Sequence, residues 1–178
     1  MGQYYLICNL DKRQYFYSHA FGDGLKLMEF GLSGGGMMAG LAILLADGNG
    51  RGGGDIDNEV ENPVIGSWAG DRIVIAGDYA DPGKWGEKAP AVGTALKSGN
   101  MMKADRVPHW NLYDEAQESF ENISAKVVLA LAQDGYAKSL LEKRRCWMSE
   151  ANDANPVSWA REVLGVSDTP KKGAKRGQ

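Results

Sequence analysis

The sequence predicts one α+β domain over residues 1–168, followed by a basic tail at 169–178. Three observations carry that prediction. Two β-forming runs, residues 4–10 (YYLICNL) and 13–17 (RQYFY), open the chain. An apolar segment at helical spacing occupies residues 37–46. From Ser124 onward, helix-start and helix-stop residues recur. The expected architecture is an N-terminal β-hairpin, a buried central helix, a small sheet with a well-defined inner strand, and a C-terminal helical segment.

Each element has its own warrant. Asp11 and Lys12 form a candidate two-residue turn between the first two strands. Asp23 is placed to cap a short helix over residues 25–30, which Gly31 would end. Ser33 and Gly34, Gly35 and Gly36 lead into the central helix, where Leu41 and Leu45 lie one turn apart and are expected in the core. Residues 47–62 mix five glycines with Asp and Asn and read as a loop. Residues 73–76 (IVIA) are a continuous apolar run, which predicts a strand buried on both faces. Val64 and Ile65 are a candidate partner strand, and residues 80–108 a second long loop with at most a short helix near 94–97. Residues 111–120 fit either a strand or a helix, and their place after a proline and before a new cap favours the strand. Ser124 is the candidate cap of a helix ended by Gly135, residues 136–147 a second helix, and Asn155-Pro156 the start of a third that closes at Gly165.

Composition narrows the classes of function. The chain has 178 residues, 43% hydrophobic and 24% charged, which is the balance of a globular domain able to build its own core. Its 24 glycines are nearly twice the usual share of about 7%. Net charge is −3, yet the tail cations Lys171, Lys172, Lys175 and Arg176 offset an excess of seven negative charges in residues 1–168. An acidic body of that kind disfavours general nucleic-acid binding. The longest apolar stretch is too short to span a bilayer, so no membrane role is expected. Cys8 and Cys146 are far apart and form no CxxC pair. They read as reduced thiols of a cytoplasmic protein.

Three segments, MGQYYLICNLDKRQYF, FGDGLKLMEFG and GSWAGDRIVIAGDYAD, are similar to a family of small bacterial and phage proteins with no assigned activity. The resemblance covers about the first half of the chain. It implies a microbial or viral setting and supplies no catalytic residue.

The candidate site residues are Ser33, Gly34, Gly35, Gly36, Trp68, Asp71, Asp78 and Trp85. Glycines before a helix expose backbone N–H groups to an anion, and the helix terminus favours negative charge. No Lys-Ser or Lys-Thr follows, so the turn is not a P-loop, and GxGxxG spacing is missing. The same glycines also suit close helix packing. Asp71 and Asp78 flank the apolar strand, as turn formers or as ligands at its ends. Trp68 and Trp85 sit in glycine-rich loops and either stack on a ligand or seal the core. His19 and His109 are the two histidines, and neither stands in a triad context. The segment from Asp47 misses two calcium-loop positions, with Arg51 at the fifth and Asn58 at the twelfth. A looser set of Asp55, Asp57 and Glu59 is the alternative there. No motif names a cofactor.

Three functions fit. The first is a small binding protein that holds an anionic small molecule or a protein partner through the glycine-rich loops and loop tryptophans. The second is a phosphate-ester hydrolase or transferase using Asp71, Asp78 and a histidine near the glycine turn. The third is a bacterial or phage protein-interaction factor. The sharpest geometric expectation is that Gly34, Gly35 and Gly36 and the strand end at Asp78 line one cleft, with Trp68 or Trp85 as its wall.

Overall fold

The computed structural model describes residues 2–48, 56, 62–79, 92–93, 106–107, 112–149 and 154–166. The N-terminal hairpin forms as expected. β1 (Tyr5–Asn9) and β2 (Gln14–Phe16) are antiparallel, with Ile7 opposite Phe16 and Cys8 opposite Tyr15. The ladder ends with Asn9 opposite Gln14, so the chain reverses through residues 10–13 and not through Asp11 and Lys12 alone. Asn9 shapes this turn: its Oδ1 accepts the Asp11 and Lys12 N–H groups, each at 2.9 Å. Arg13 then takes φ +52°, in the left-handed region, to rejoin the ladder. Its guanidinium lies 4.7 Å above the Phe120 ring and donates to Ser119 Oγ at 2.7 Å.

β3 (Ile73–Gly77) pairs antiparallel with the other side of β1, placing Ile75 opposite Ile7. β4 (Val92–Gly93) and β5 (Arg106–Val107) pair with each other. β6 (Glu121–Asn122) runs parallel to β2, and the mixed sheet has the order β3-β1-β2-β6. The inner strands are therefore β1 and β2. The apolar run at 73–76 is a strand, but among the described residues it lies at the sheet edge, and Ile75 is 41% exposed. Burial on both faces is thus corrected. An apolar run shows that a strand can be buried, not that neighbours stand on both sides of it.

One sheet face carries Ile7 and Phe16 into the main core. Phe16 meets Phe21 edge-on at 5.8 Å and Trp68 at 5.5 Å. A 3-10 turn (Ser18–Phe21), α1 (Leu27–Gly31) and α2 (Met37–Leu45) feed the same core through Phe21, Phe30, Met37 and Leu44. The buried seam of α2 is Met37, Gly40 and Leu44, whereas Leu41 is half-buried and Leu45 exposed. The expected Leu41 and Leu45 seam is corrected. This helix is apolar nearly all round, so only its neighbours choose the inward face. Gly66 and Trp68 donate to the Ile43 and Leu44 carbonyls, each at 2.8 Å, and so satisfy acceptors that a helix end leaves open. Residues 62–71 do this as a run of tight turns, not as a partner strand at Val64 and Ile65.

The opposite face carries Leu6, Cys8, Leu10, Tyr15 and Ala76. α3 (Leu112–Ser119) covers it with Leu112 and Ala116, and Phe120 follows in the same stripe. Residues 111–120 were expected as strand. Their apolar positions recur every four residues, and the sheet face selects that helical stripe over the local proline context.

α4 (Ser124–Leu131), α5 (Gly135–Glu142) and α6 (Pro156–Leu164) form the C-terminal helical segment, with α4 and α6 packed on each other. α6 follows its sequence signals. Asn155 Oδ1 accepts Ser158 N–H at 2.9 Å, Pro156 occupies the first turn, and Gly165 closes the helix at φ +64°. Two expected boundaries move. Ser124 is the first helical residue and its Oγ accepts Tyr17 N–H at 3.3 Å, so it does not cap α4. Gly135 starts α5 beneath an Asp134 cap, and α5 stops at Glu142, leaving Trp147 in the loop that follows. The helix expected near 94–97 and the tail 169–178 lie outside the described residues. Among the described residues no helix is long and apolar enough to cross a membrane.

Candidate functional site

A carboxylate of the chain itself, Asp23, stands at the end of the glycine turn. Asp23 Oδ2 accepts the Met37 N–H at 2.8 Å, so it caps α2 and not the short helix it precedes. Asp23 Oδ1 accepts from the Ser33 hydroxyl and from Arg144 Nη1, the latter at 2.6 Å. Arg144 also donates to the Phe21 carbonyl at 3.3 Å and to the Gly34 carbonyl. The carboxylate is buried and the guanidinium largely so. A Cβ on Gly36 would collide with Asp23 Oδ2. Glycine is therefore required there for the close approach of a carboxylate to the helix terminus. Ser33, Gly34 and Gly36 are brought together around this internal lock, with Gly35 between them at φ +71°.

The other candidates go elsewhere. Asp71 accepts Asn9 Nδ2 at 2.7 Å and pairs with the Lys12 ammonium. Beside it Arg72 Nη2 donates to Asp11 Oδ1 at 2.6 Å, so two ion pairs staple the hairpin turn to the start of β3. Asp78 lies at the far end of that strand, where its Oδ1 accepts the Tyr4 N–H at 2.8 Å. Six residues separate the two carboxylates, five of them the strand at about 3.3 Å each. Trp68 is fully buried and its Nε1 donates to Gln14 Oε1 at 2.8 Å, so it seals the core and walls no cleft. The partners of the glycine turn and of Asp78 do not overlap. Trp85, Trp110, His109, Asp55, Asp57 and Glu59 lie outside the described residues.

A groove of about 430 Å³ opens where residues not grouped by the sequence reading converge. Tyr4 comes from the approach to β1 and His19 from the 3-10 turn. Gly24, Leu25 and Lys26 come from the stretch before α1, Glu29 from α1 itself, and Trp147 from the loop after α5. The walls are joined through the backbone. Trp147 N–H donates to the His19 carbonyl at 3.1 Å, and Tyr5 N–H donates to the Leu25 carbonyl at 3.0 Å. Gly22 lets them meet: it takes φ +74°, and a Cβ there would lie 2.8 Å from the Arg145 carbonyl oxygen.

Within the groove the His19 and Trp147 rings stand 6.2 Å apart with a 40° tilt. Arg145 covers Trp147 at 4.9 Å from the ring centroid. Trp147 remains 52% exposed, an unusual state for the largest apolar side chain. Burial holds the His19 imidazole below its usual value, opposed by the nearby Glu29 carboxylate. Glu29 itself is held low, first by the Lys26 N–H at 3.1 Å and then by the Lys26 ammonium at 3.4 Å. Ser18, next to His19, is fully buried, and its Oγ has no hydrogen-bond partner among the described residues. Both thiols are buried, and burial pushes Cys8 up to about 12 and Cys146 upward as well. The arrangement offers aromatic surface, a neutral imidazole and rim charges, and among the described residues no serine or cysteine lines it.

Sequence reasoning missed the groove because Trp147 read as the end of a helix and His19 as a loop residue. The usable signal was local. Trp147 follows the charged run Lys143-Arg144-Arg145 and precedes no apolar stripe that would bury it. Comparison with protein families, curated proteins and solved structures finds no match to this chain.

Proposed function

We propose that the chain is a binding protein and that the groove between His19, Lys26 and Trp147 holds a small molecule. The half-exposed Trp147 carries this reading. Burying an aromatic side chain of this kind is worth about 1.5–3 kcal/mol, so a ligand that covers it gains part of that amount. The groove volume of about 430 Å³ falls within the roughly 300–1,000 Å³ of small-molecule sites. Its walls are tied by main-chain hydrogen bonds, which reduces the ordering that binding demands. The hydrolase or transferase alternative draws less support, because Asp71 and Asp78 sit at opposite ends of β3 with partners of their own. Buried free thiols suit a reducing compartment, the cytoplasm of a bacterium or of a phage-infected cell.

Native mass spectrometry of protein purified from its own host tests the reading. The wild type should carry a bound small molecule, and Trp147→Ala should lose it while remaining folded. Retention of the same molecule by Trp147→Ala would place binding outside the groove.

One observation favours a second reading, a protein-interaction factor. Leu27, Met28 and Leu32 are exposed, the last at 77%, beside the rim formed by Lys26 and Glu29. Exposed apolar groups at a groove edge are a usual mark of a partner surface. Under this reading Met28→Ser with Leu32→Ser abolishes association with the partner and leaves small-molecule retention unchanged.

A further inference from the structure

The geometry points to a planar aromatic acid as the ligand of the groove, its ring laid across Trp147 and His19 and its acidic oxygens taken by Lys26. This inference rests on the groove being the binding site. It follows from counting what the lining offers.

The ring comes first. A flat ligand intercalated between two rings needs about 3.5 Å on each side. The His19 and Trp147 centroids are 6.2 Å apart, too close for that, so a ring must lie across both. One face of Trp147 is already covered by Arg145. The other face and the edge remain for an offset or edge-on contact. Gly22 and Gly24 complete the neighbouring wall, where the Arg144 and Arg145 segment and the Glu29 carboxylate fill the space their side chains would take.

The acid follows from donors and charge. The Tyr4 hydroxyl and the neutral His19 imidazole each offer one donor and one acceptor, whereas the Trp147 indole N–H and the Lys26 ammonium only donate. The acceptors of Glu29 are engaged by the Lys26 backbone and ammonium groups. The two donor-only groups call for a ligand that carries acceptors. The lining holds one cation, Lys26, and one anion, Glu29, while Arg145 against Trp147 and Asp78 at the Tyr4 N–H balance each other, so an oxyanion is favoured at Lys26 itself. The Lys26 and Glu29 side chains are about half exposed, and pairs of this kind contribute little. Lys26 is therefore able to exchange Glu29 for a ligand oxyanion.

Calorimetry together with NMR of the full chain tests this with four probes: phenylacetate, phenyl phosphate, phenethylamine and acetate. At least one aromatic acid should bind and shift the Trp147 indole and His19 signals. Which acid binds more tightly tells a carboxylate site from a phosphate site. Phenethylamine should bind at least about tenfold more weakly, and acetate should cause no shift at the same concentration. Lys26→Met should weaken the acid about tenfold and leave phenethylamine within about twofold. Glu29→Gln should tighten the acid. Amide spectra of both variants report that the fold is kept.

Phenethylamine binding as tightly as the acids, or unchanged acid affinity in Lys26→Met, overturns the acid and leaves the groove standing as a site. Silence from all four probes also overturns the aromatic acid. The groove itself falls only if Trp147→Ala keeps the natively bound molecule.

Discussion

Replacing Asp23 by alanine removes one acceptor from three donors at once. The Met37 N–H at the start of α2 loses its cap, an effect of typically about 1 kcal/mol. The Ser33 hydroxyl loses a charge-assisted hydrogen bond, worth about 1.5–3 kcal/mol. Arg144, only 21% exposed, keeps its carbonyl contacts but loses its counter-ion. Breaking a buried pair by removing one partner costs about 3–5 kcal/mol, less where water still reaches the guanidinium. The three effects share one carboxylate and do not add. The expected loss is about 3–4 kcal/mol. Asp23→Asn keeps the acceptor and the cap but not the charge, and should cost about 1–2 kcal/mol. Urea denaturation reads both as a lower midpoint with an unchanged slope. Thermal unfolding should fall by on the order of 10 °C for Asp23→Ala at this chain length. A double-mutant cycle with Arg144→Met should show a coupling of about 1–3 kcal/mol, since the double variant leaves no buried charge behind. A loss below about 1 kcal/mol in Asp23→Ala would refute the argument. It would mean that this carboxylate holds neither the helix start nor Arg144.

Three further outcomes are expected. Leu44→Ala should cost about 2–5 kcal/mol and Leu45→Ala under about 1 kcal/mol by urea denaturation; equal losses would show that the α2 seam has been misplaced. Folded His19 resists protonation, so its contribution is fully present above the usual 6.5 and is lost as pH falls below it towards the lower folded value. His19→Gln should accordingly flatten the stability profile below the usual 6.5, and an NMR pKa at or above 6.5 for His19 contradicts the burial argument. Cys8 and Cys146 should resist iodoacetamide in the native protein and react after unfolding; rapid native labelling of Cys8 would show that its strand face is open.

Elements governed by neighbours in the chain were legible in the sequence. α6 is the clearest case, because Asn155, Pro156 and Gly165 act on backbone groups within one turn of themselves. The hairpin was legible for the same reason, although Asn9 and Arg13 lengthened its turn beyond what Asp11 and Lys12 suggest. α3 was not legible: Leu112, Ala116 and Phe120 fit a helix only once a sheet face of matching width lies beneath them. The edge position of β3 and the seam of α2 failed in the same way. An apolar run states that partners exist and says nothing of which side they occupy.

The site divides along the same line. From Ser33, Gly34, Gly35 and Gly36 the sequence by itself determined that a glycine turn would precede a helix, and it left open whether the turn serves an anion or close packing. Only the tertiary structure decided what packs against it. Asp23 is near in sequence, but Arg144 is 121 residues away, and the pair closes the turn from both sides. The groove is wholly a product of packing. Tyr4, His19, Lys26 and Trp147 share no motif or spacing, and they meet because main-chain bonds draw the loop after α5 against the 3-10 turn. Short-range hydrogen bonding is written in adjacent residues. The meeting of side chains from distant segments depends on how the whole core closes, and no local pattern encodes that.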